Sequence, residues 1–146
     1  GYWNDDAATQ RAMGDGWFRT GDVLVRDAEG YFSVRGRIKE MFISGGENVY
    51  PPEVEAVIHA CPGVAASAVI GVPDERWGEV GVAFVEAGPD SGVTAEGLRS
   101  FLDGKLAKYK LPKRVVVQAE LPKTASGKID RVALSRLASS LSPASP

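Results

Sequence analysis

Residues 36–55 constrain the fold of this chain more than any other stretch. Charged and apolar residues alternate as far as Ser44, which predicts a half-exposed strand. Gly45 and Gly46 interrupt that pattern, residues 47 and 48 favour a turn, and Pro51-Pro52 suits the first turn of a helix. The stretch therefore predicts a strand, a glycine turn and a helix in succession. The glycines leave two functional interpretations open, a phosphate-binding loop and a hinge.

Turn residues divide the rest of the chain into short elements of both types. Acidic residues before residue 7 predict a short helix, and residues 22–35 predict a β-hairpin with its turn at 27–30. Residues 64–72 are nearly all apolar or small, which is typical of a strand buried on both faces. Further strands are predicted at 79–87 and 114–118, and helices after residues 51, 94 and 130, the last with Leu134 and Leu137 on one face.

This pattern predicts an α+β fold: an N-terminal hairpin segment, then a small domain with a short central sheet flanked by helices. A chain of 146 residues can bury roughly two thirds of its unfolded surface. A hairpin with one short helix cannot bury a core of its own, so we expect the first segment to dock on further protein and the chain to be a piece of something longer. The serine- and proline-rich residues 139–146 predict a disordered tail.

Composition excludes several classes of function. With 44% hydrophobic and 25% charged residues and a net charge of -2, the chain is typical of globular proteins and has no global attraction for nucleic acid. No apolar run reaches the ~18 residues of a membrane span. The single cysteine, Cys61, fits a reducing compartment, and we expect a cytoplasmic protein. His59 and Cys61 together are too few ligands for zinc, so no metal site is predicted.

The loop at 122–128, Pro-Lys-Thr-Ala-Ser-Gly-Lys, is the second informative stretch. Its small residues favour a mobile backbone that carries the ammonium group of Lys128. A Walker-type phosphate loop is excluded, because it needs glycine in place of Pro122 and a hydroxyl residue in place of Ile129. A surface loop with solvated lysines is the simpler alternative. For Trp77 and Tyr109, stacking on a purine and ordinary packing both remain open.

Four segments in order resemble the adenylate-forming superfamily, which comprises acyl-CoA synthetases, peptide-synthetase adenylation domains and luciferases. Residues 1–4 resemble the end of the large N-terminal domain, and residues 17–22 resemble its ribose-binding segment. Residues 36–55 resemble the hinge motif, and residues 122–128 resemble the loop that bears the catalytic lysine. The resemblance covers nearly the whole chain.

The resemblance implies a role for each matching residue. Asp22 is expected to hold the ribose hydroxyls of ATP and Arg37 to contact the nucleotide near its ribose or phosphate. Lys39 occupies the hinge position, about which the small domain rotates. Lys128 is expected to bridge the substrate carboxylate and the α-phosphate during adenylation. Because Lys128 is expected to be exposed, it is also a candidate for control by a lysine acetyltransferase.

The second half of the reaction is implied to involve another set of residues. Residues 39–51 and 73–78 are similar to the acyl- and aryl-CoA ligases rather than to peptide synthetases. In that group the matching positions line the pantetheine tunnel or lie near the CoA nucleotide; they are Gly45, Gly46, Trp77, Tyr109, Lys110 and Lys113. Leu111 stands where some relatives have a basic residue, so Lys110 or Lys113 is assigned the contact with the CoA 3′-phosphate.

We therefore expect residues 1–38 to be the tail of an AMP-binding domain and 39–138 to be the mobile C-terminal domain of an ATP-dependent acyl-CoA ligase. Its substrates would be a carboxylate, ATP and CoA, with Mg²⁺ held by the missing N-terminal domain, and the fragment alone would not turn over. An adenylation domain that loads a carrier protein and a non-catalytic binding module are the alternatives. The sequence does not identify the carboxylate.

Overall fold

The computed structural model describes residues 1–141 of the chain, which divide into two compact units. One unit comprises Gly1–Lys39, and the other begins at Glu40. The described part contains four α-helices and nine strands, and this mixture confirms the predicted α+β class. None of the helices within residues 1–141 is long and apolar enough to cross a membrane.

The first unit contains one helix and two small antiparallel hairpins. Its elements are α1 (Asp6–Ala12), β1 (Met13–Gly14), β2 (Trp17–Phe18), β3 (Asp22–Arg26) and β4 (Phe32–Arg37). Asp5 caps α1 by accepting the Ala8 N–H at 2.8 Å, and Asp27 closes the β3–β4 turn by accepting the N–H groups of Glu29 and Tyr31. The predicted hairpin at 22–35 is confirmed, with two more residues in its second strand.

Large apolar side chains of the first unit are exposed in the described chain. No residue of α1 is buried, and Gly36 alone is buried in β4. The exposed set consists of Tyr2, Trp3, Met13, Trp17, Phe18, Leu24, Val25, Tyr31, Phe32, Val34 and Ile38. The local hydrogen bonds of the turns and the helix cap, rather than a core, define this unit.

The second unit is built on a five-stranded sheet. Its strands are β5 (Phe42–Ser44), β6 (Glu47–Val49), β7 (Val64–Asp74), β8 (Gly78–Ala87) and β9 (Arg114–Gln118). The order is β6-β5-β8-β7, with β9 parallel to β8. Its helices are α2 (Pro51–His59), α3 (Ala95–Leu102) and α4 (Arg131–Ser140), and a short 3₁₀ helix spans Lys108–Lys110.

Both faces of β7 and β8 are buried, as the apolar run at 64–72 predicted for β7. On one face, Val69, Ala83 and Val85 join a core with residues of α2 and α3 such as Ile58 and Leu98. On the other face is a second core, made of Ala68, Ile70, Val82, Phe84, Leu121, Leu134 and Ala138. Alternating side chains of β7 and β8 therefore hold helices on both sides of one sheet.

The structure corrects the interpretation of residues 36–55. A 3₁₀ turn at Ile38–Glu40 follows β4, and Gly45-Gly46 is the two-residue loop of the β5–β6 hairpin, with Ser44 opposite Glu47. Residues 47 and 48 therefore lie in a strand, not in a turn. Three-residue strands are too short for alternation to reveal, which is why the sequence indicated a single strand followed by a helix.

The C-terminal helix differs from its prediction in two ways. Leu134 is buried, whereas Leu137 is 44% exposed and Ala138 takes the buried position one turn on. The helix also continues through Ser139 and Ser140, where the sequence predicted the start of a disordered tail. Their hydroxyl groups donate to the carbonyls of Ser135 and Leu137, so serine here extends the helix end. The rest of that predicted tail, 142–146, lies outside the described residues.

Candidate functional site

Asp22 and Arg37, the two predicted nucleotide contacts, lie side by side in the first unit. They are opposite each other in the β3–β4 register, and the Nε of Arg37 is 2.8 Å from the Oδ1 of Asp22. The Asp22 side chain is 22% exposed and that of Arg37 is 53% exposed. An accessible carboxylate beside a guanidinium offers an acceptor for hydroxyl groups and a fixed cation within one hairpin.

Lys39 is exposed in the 3₁₀ turn that follows this hairpin. The turn is attached to the first unit by a hydrogen bond from the Ile38 N–H to the Gly21 carbonyl, 2.9 Å long. The next residue, Glu40, belongs to the second unit and is paired with Arg131. Lys39 is therefore the last residue of one compact unit, next to a residue anchored in the other.

Three of the predicted CoA contacts, Gly45, Trp77 and Lys113, meet at one indole ring, and Gly46 lies in the same hairpin turn as Gly45. Gly45 and Gly46 have φ values of 60° and 86°, as both residues of a type I′ hairpin turn require. The Gly45 N–H donates to the Trp77 carbonyl at 2.8 Å, and a Cβ atom on Gly45 would lie 2.8 Å from the Trp77 ring. The ammonium group of Lys113 lies 5.0 Å from the centroid of the same ring.

Arg76 belongs to this cluster although the sequence did not single it out. Its guanidinium lies 5.4 Å from the centroid of the Trp77 ring. Asp74 fixes the loop by accepting the N–H groups of Arg76 and Trp77, each at 2.9 Å. Two cations on one partly exposed indole form a surface suited to a phosphate-bearing ring system. In the sequence, residues 73–78 carry a family resemblance but no pattern that marks Arg76. Its place beside the Trp77 ring is visible only in the structure.

Tyr109 and Lys110 are held differently from Lys113. The Tyr109 ring is partly buried and packs against the core next to α2 and α3. Lys110 donates to the carboxylate of Glu53 at 2.5 Å, and this hydrogen bond raises the pKa of Lys110 above its ordinary value. The Lys110 ammonium is therefore already paired, whereas Lys113 is exposed beside Trp77. The predicted set is divided into one indole cluster and one structural ion pair.

Lys128 lies on a tight turn with a defined hydrogen-bond pattern. Lys123 and Ile129 form a β-bridge, and the Thr124 N–H donates to the Lys128 carbonyl at 2.7 Å. Below the bridge the Asp130 N–H donates to the Pro122 carbonyl at 2.8 Å. The loop that the sequence predicted as mobile is thus a closed turn, and its Lys128 side chain is exposed.

Glu86 anchors the chain where it enters this turn. The carboxylate of Glu86, at the end of β8, accepts the Leu121 N–H at 2.9 Å and lies 3.4 Å from the ammonium of Lys123. The Leu121 hydrogen bond is the main reason why the pKa of Glu86 lies below its ordinary value; burial opposes it, and Lys123 adds to it. No local pattern marks Glu86, because its partner is 35 residues away.

The depressed pKa of Glu86 predicts a pH-dependent contribution to stability. Its contribution is complete above the unfolded-state pKa, about 4.3, and is lost as the pH falls through the lower folded-state value. We expect Glu86→Gln to unfold at lower urea concentration than the wild type at neutral pH, and the difference to shrink as acid protonates Glu86. Glu120→Gln is the matched control, because Glu120 is 76% exposed and pairs with the same lysine. A difference that grows on acidification would contradict the assignment.

Two further features of the described residues bear on ligands. No group of three or more His, Cys, Asp or Glu side chains within residues 1–141 is arranged to hold a metal ion. A cavity of 230 Å³ is lined by the N-terminal residues, α1 and the β1–β2 hairpin, including Tyr2, Met13 and Phe18. None of the predicted site residues lines this cavity.

Comparison with known proteins gives consistent matches over the chain. The model of the family described as AMP-binding enzyme C-terminal domain matches residues 53–128. A feruloyl-CoA synthase of an Amycolatopsis species is 52% identical over 129 residues, which cover 88% of this chain and 26% of that protein. A long-chain-fatty-acid–CoA ligase of Mycobacterium tuberculosis is 47% identical over 133 residues, covering 91% of this chain and 26% of the ligase. The chain thus spans about a quarter of the length of these relatives.

Solved structures also match over nearly the whole chain. ATP-bound MatB from Rhodopseudomonas palustris has a TM-score of 0.85 and 39% sequence identity over 96% of this chain and 28% of that chain. An amide bond synthetase, McbA from Marinactinospora thermotolerans, has a TM-score of 0.84 and 35% identity over 94% of this chain and 28% of its own. The same arrangement of elements therefore occurs in MatB and in a protein named as an amide bond synthetase.

Proposed function

Because the chain belongs to the AMP-binding enzyme C-terminal domain family, we propose that it is the C-terminal part of an ATP-dependent acyl-CoA ligase. In the first step a carboxylate oxygen attacks the α-phosphorus of ATP, the bond to the β-phosphate oxygen breaks, and pyrophosphate leaves. In the second step the CoA sulfur attacks the acyl carbonyl carbon, AMP leaves, and the thiol proton is released. The match over residues 53–128, which ends on the exposed Lys128, is the observation that carries the proposal.

Lys128 is proposed to serve the first step. Charge develops on the α-phosphate and on the departing pyrophosphate, and a positioned cation stabilises that charge more than it stabilises the ground state. The closed turn supports this role, because a lysine on an anchored backbone needs less ordering during the reaction than one on a free loop. Acetylation would remove the charge, so we also propose a lysine acetyltransferase as a regulatory partner.

Asp22, Arg37 and Lys39 are proposed to serve the nucleotide and the domain movement. The Asp22–Arg37 pair supplies an acceptor for the ribose hydroxyls and a cation near the phosphates. Residues 1–38 would belong to the AMP-binding domain, whose remainder would cover the exposed apolar side chains of this unit. Lys39, between the two units, would be the pivot about which residues 39–138 rotate before the second step.

The indole cluster is proposed to bind CoA in that second step. Gly45 and Gly46 present backbone without Cβ atoms, as close approach of the pantetheine arm would require. Trp77 would stack on the CoA nucleotide, with Tyr109 nearby, and Lys113 is better placed than Lys110 for the 3′-phosphate because Glu53 already pairs with Lys110. Mg²⁺ bound with ATP would be held by the N-terminal domain.

The proposal is tested on the full-length protein that carries this chain. We expect ATP–pyrophosphate exchange that depends on an added carboxylate, followed by thioester formation with CoA. Hydroxycinnamic acids, fatty acids and indoleacetic acid form the first panel, because relatives are named for such substrates. A carrier protein and a simple amine are the alternative acceptors, the amine because of the resemblance to an amide bond synthetase. If no carboxylate of the panel supported ATP–pyrophosphate exchange, the proposal would be contradicted.

A further inference from the structure

Arg131 contacts three partners on different elements, and none of the proposed functions involves it. It is the first residue of α4 and follows Asp130, whose carboxylate caps that helix by accepting the Val132 and Ala133 N–H groups. Its NH1 donates to the Glu55 carboxylate at 2.9 Å, and its NH2 donates to the Val69 carbonyl at 2.8 Å. Its Nε lies 3.4 Å from the carboxylate of Glu40. One guanidinium thus joins α4 to three other elements.

The contacts with β7 explain why an arginine stands here. In the five-stranded sheet β7 is an edge strand, and an edge presents unpaired backbone groups. Glu55 accepts the Val69 N–H at 2.7 Å, and Arg131 donates to the Val69 carbonyl. The two side chains therefore satisfy both backbone polar groups of Val69 on this edge. The planar fork of arginine can do this and bind Glu55 simultaneously, whereas the single ammonium of lysine cannot.

Through its partners Arg131 connects the turn that carries Lys128 with Glu40, the first residue of the second unit. Arg131 is three residues beyond Lys128 in the sequence and directly follows the Asp130–Pro122 hydrogen bond that closes the turn. Glu40 directly follows Lys39 and lies in the 3₁₀ turn Ile38–Glu40. With Glu86 holding the entry of the turn, Arg131 holds its exit.

We infer that Arg131 is a positioning residue, which fixes the exit of the Lys128 turn to α2, β7 and the segment that follows Lys39. The inference rests on the proposed function for its catalytic consequence. Through this contact the ammonium of Lys128 moves with the segment after the pivot as one rigid piece. Loosening Arg131 therefore misplaces Lys128 during adenylation and leaves thioester formation, in which Lys128 takes no part, unchanged.

The first test measures amide hydrogen exchange in the full-length protein and needs no activity. In Arg131→Lys we expect the N–H groups of Thr124 and Asp130, which close the turn, to exchange roughly ten-fold faster or more, as the loss of a charge-assisted hydrogen bond allows. Amides of β8 should keep their protection. Arg136→Lys is the matched control, because Arg136 is an exposed arginine of the same helix. Wild-type exchange at the turn in Arg131→Lys would overturn the inference.

A second variant covers the case in which Arg131→Lys folds poorly. Glu40→Gln removes the charge of the Glu40–Arg131 ion pair and leaves the hydrogen bonds among Glu55, Arg131 and Val69 in place. Exchange at Asp130 should still rise several-fold, because ion pairs to arginine restrict the helix start that carries the turn. Unchanged exchange at this amide would likewise count against the inference.

Separate half-reactions distinguish positioning from general damage to the fold. Arg131→Lys should lower kcat for acyl-adenylate formation by about ten-fold, with KM for ATP nearly unchanged. The misplaced Lys128 would lose its interaction with the charge that develops in the transition state, and that interaction does not contribute to ground-state binding. Conversion of supplied acyl-adenylate to thioester should stay at the wild-type rate. Equal losses in both half-reactions would overturn the positioning role. If the wild type itself showed no carboxylate-dependent ATP–pyrophosphate exchange, the proposed function would fail. The amide hydrogen-exchange measurements would still decide whether Arg131 holds the turn.

Discussion

Lys128→Ala is expected to lower the rate of acyl-adenylate formation by about 10²–10³-fold in the full-length protein. The loss corresponds to one positioned donor at developing charge, about 3–4 kcal/mol of transition-state stabilisation. The Lys128 side chain is exposed, so the free energy of unfolding should change by no more than about 0.5 kcal/mol. The measurements are pyrophosphate exchange and urea unfolding of the same variant.

The same variant should convert supplied acyl-adenylate to thioester at nearly the wild-type rate. This contrast separates a role in adenylation from a general requirement for the domain. Lys123→Ala is the matched control, since Lys123 is a lysine of the same turn whose ammonium faces Glu86 and Glu120. We expect a far smaller loss of adenylation for this control. Comparable losses for the two lysines, or for the two half-reactions of Lys128→Ala, would sink the assignment.

Gly45→Ala should destabilise the protein more than Gly46→Ala. Both glycines have positive φ, which costs a residue with a Cβ atom about 1–2 kcal/mol. At Gly46 the added methyl group meets nothing within 4 Å, whereas at Gly45 it would lie 2.8 Å from the Trp77 ring. Overpacking of this kind costs about 1–3 kcal/mol more. Gly46→Ala is therefore an internal control for the backbone strain, and urea unfolding measures the difference.

Displacement of Trp77 gives Gly45→Ala a second effect. A ring displaced by the methyl group no longer has its present position beside Lys113, so the proposed CoA surface is disturbed. We expect a higher KM for CoA in the second half-reaction and little change in adenylation. Equal stability of the two alanine variants would show that Trp77 does not rest on Gly45 in solution. An unchanged KM for CoA in a destabilised Gly45→Ala variant would contradict the proposed role of Trp77 in CoA binding.

Local signals in the sequence predicted much of this fold. Thr94 and Asp130 were expected to begin helices, and the structure shows both side chains accepting N–H groups of the first turn. The strand at 114–118 has the predicted bounds, and the β3–β4 hairpin forms around the predicted turn. These features depend on groups within a few residues of each other, so the chain encodes them directly.

The candidate site was predicted as residues but not as an arrangement. The sequence identified Lys128, Trp77 and Gly45, yet it did not show that Gly45 lies under Trp77 or that Lys110 is already bound to Glu53. Asp22 and Arg37 form a pair because the register of the hairpin places them opposite each other. The predicted turn does not by itself place this pair, because the register shifts by one residue between Val23 and Leu24, and no signal in the sequence marks that irregularity.

The sequence by itself determined most of the longer elements, the caps at Thr94 and Asp130 and the residues that carry the proposed chemistry. The tertiary structure alone decided which groups hold those residues in place. Glu86 binds Leu121 from 35 residues away, Glu53 binds Lys110 across 57 and Arg131 binds Glu55 across 76. Periodicity and capping are local rules, whereas these contacts form only after the sheet has brought distant segments together and its edge has left backbone groups to satisfy.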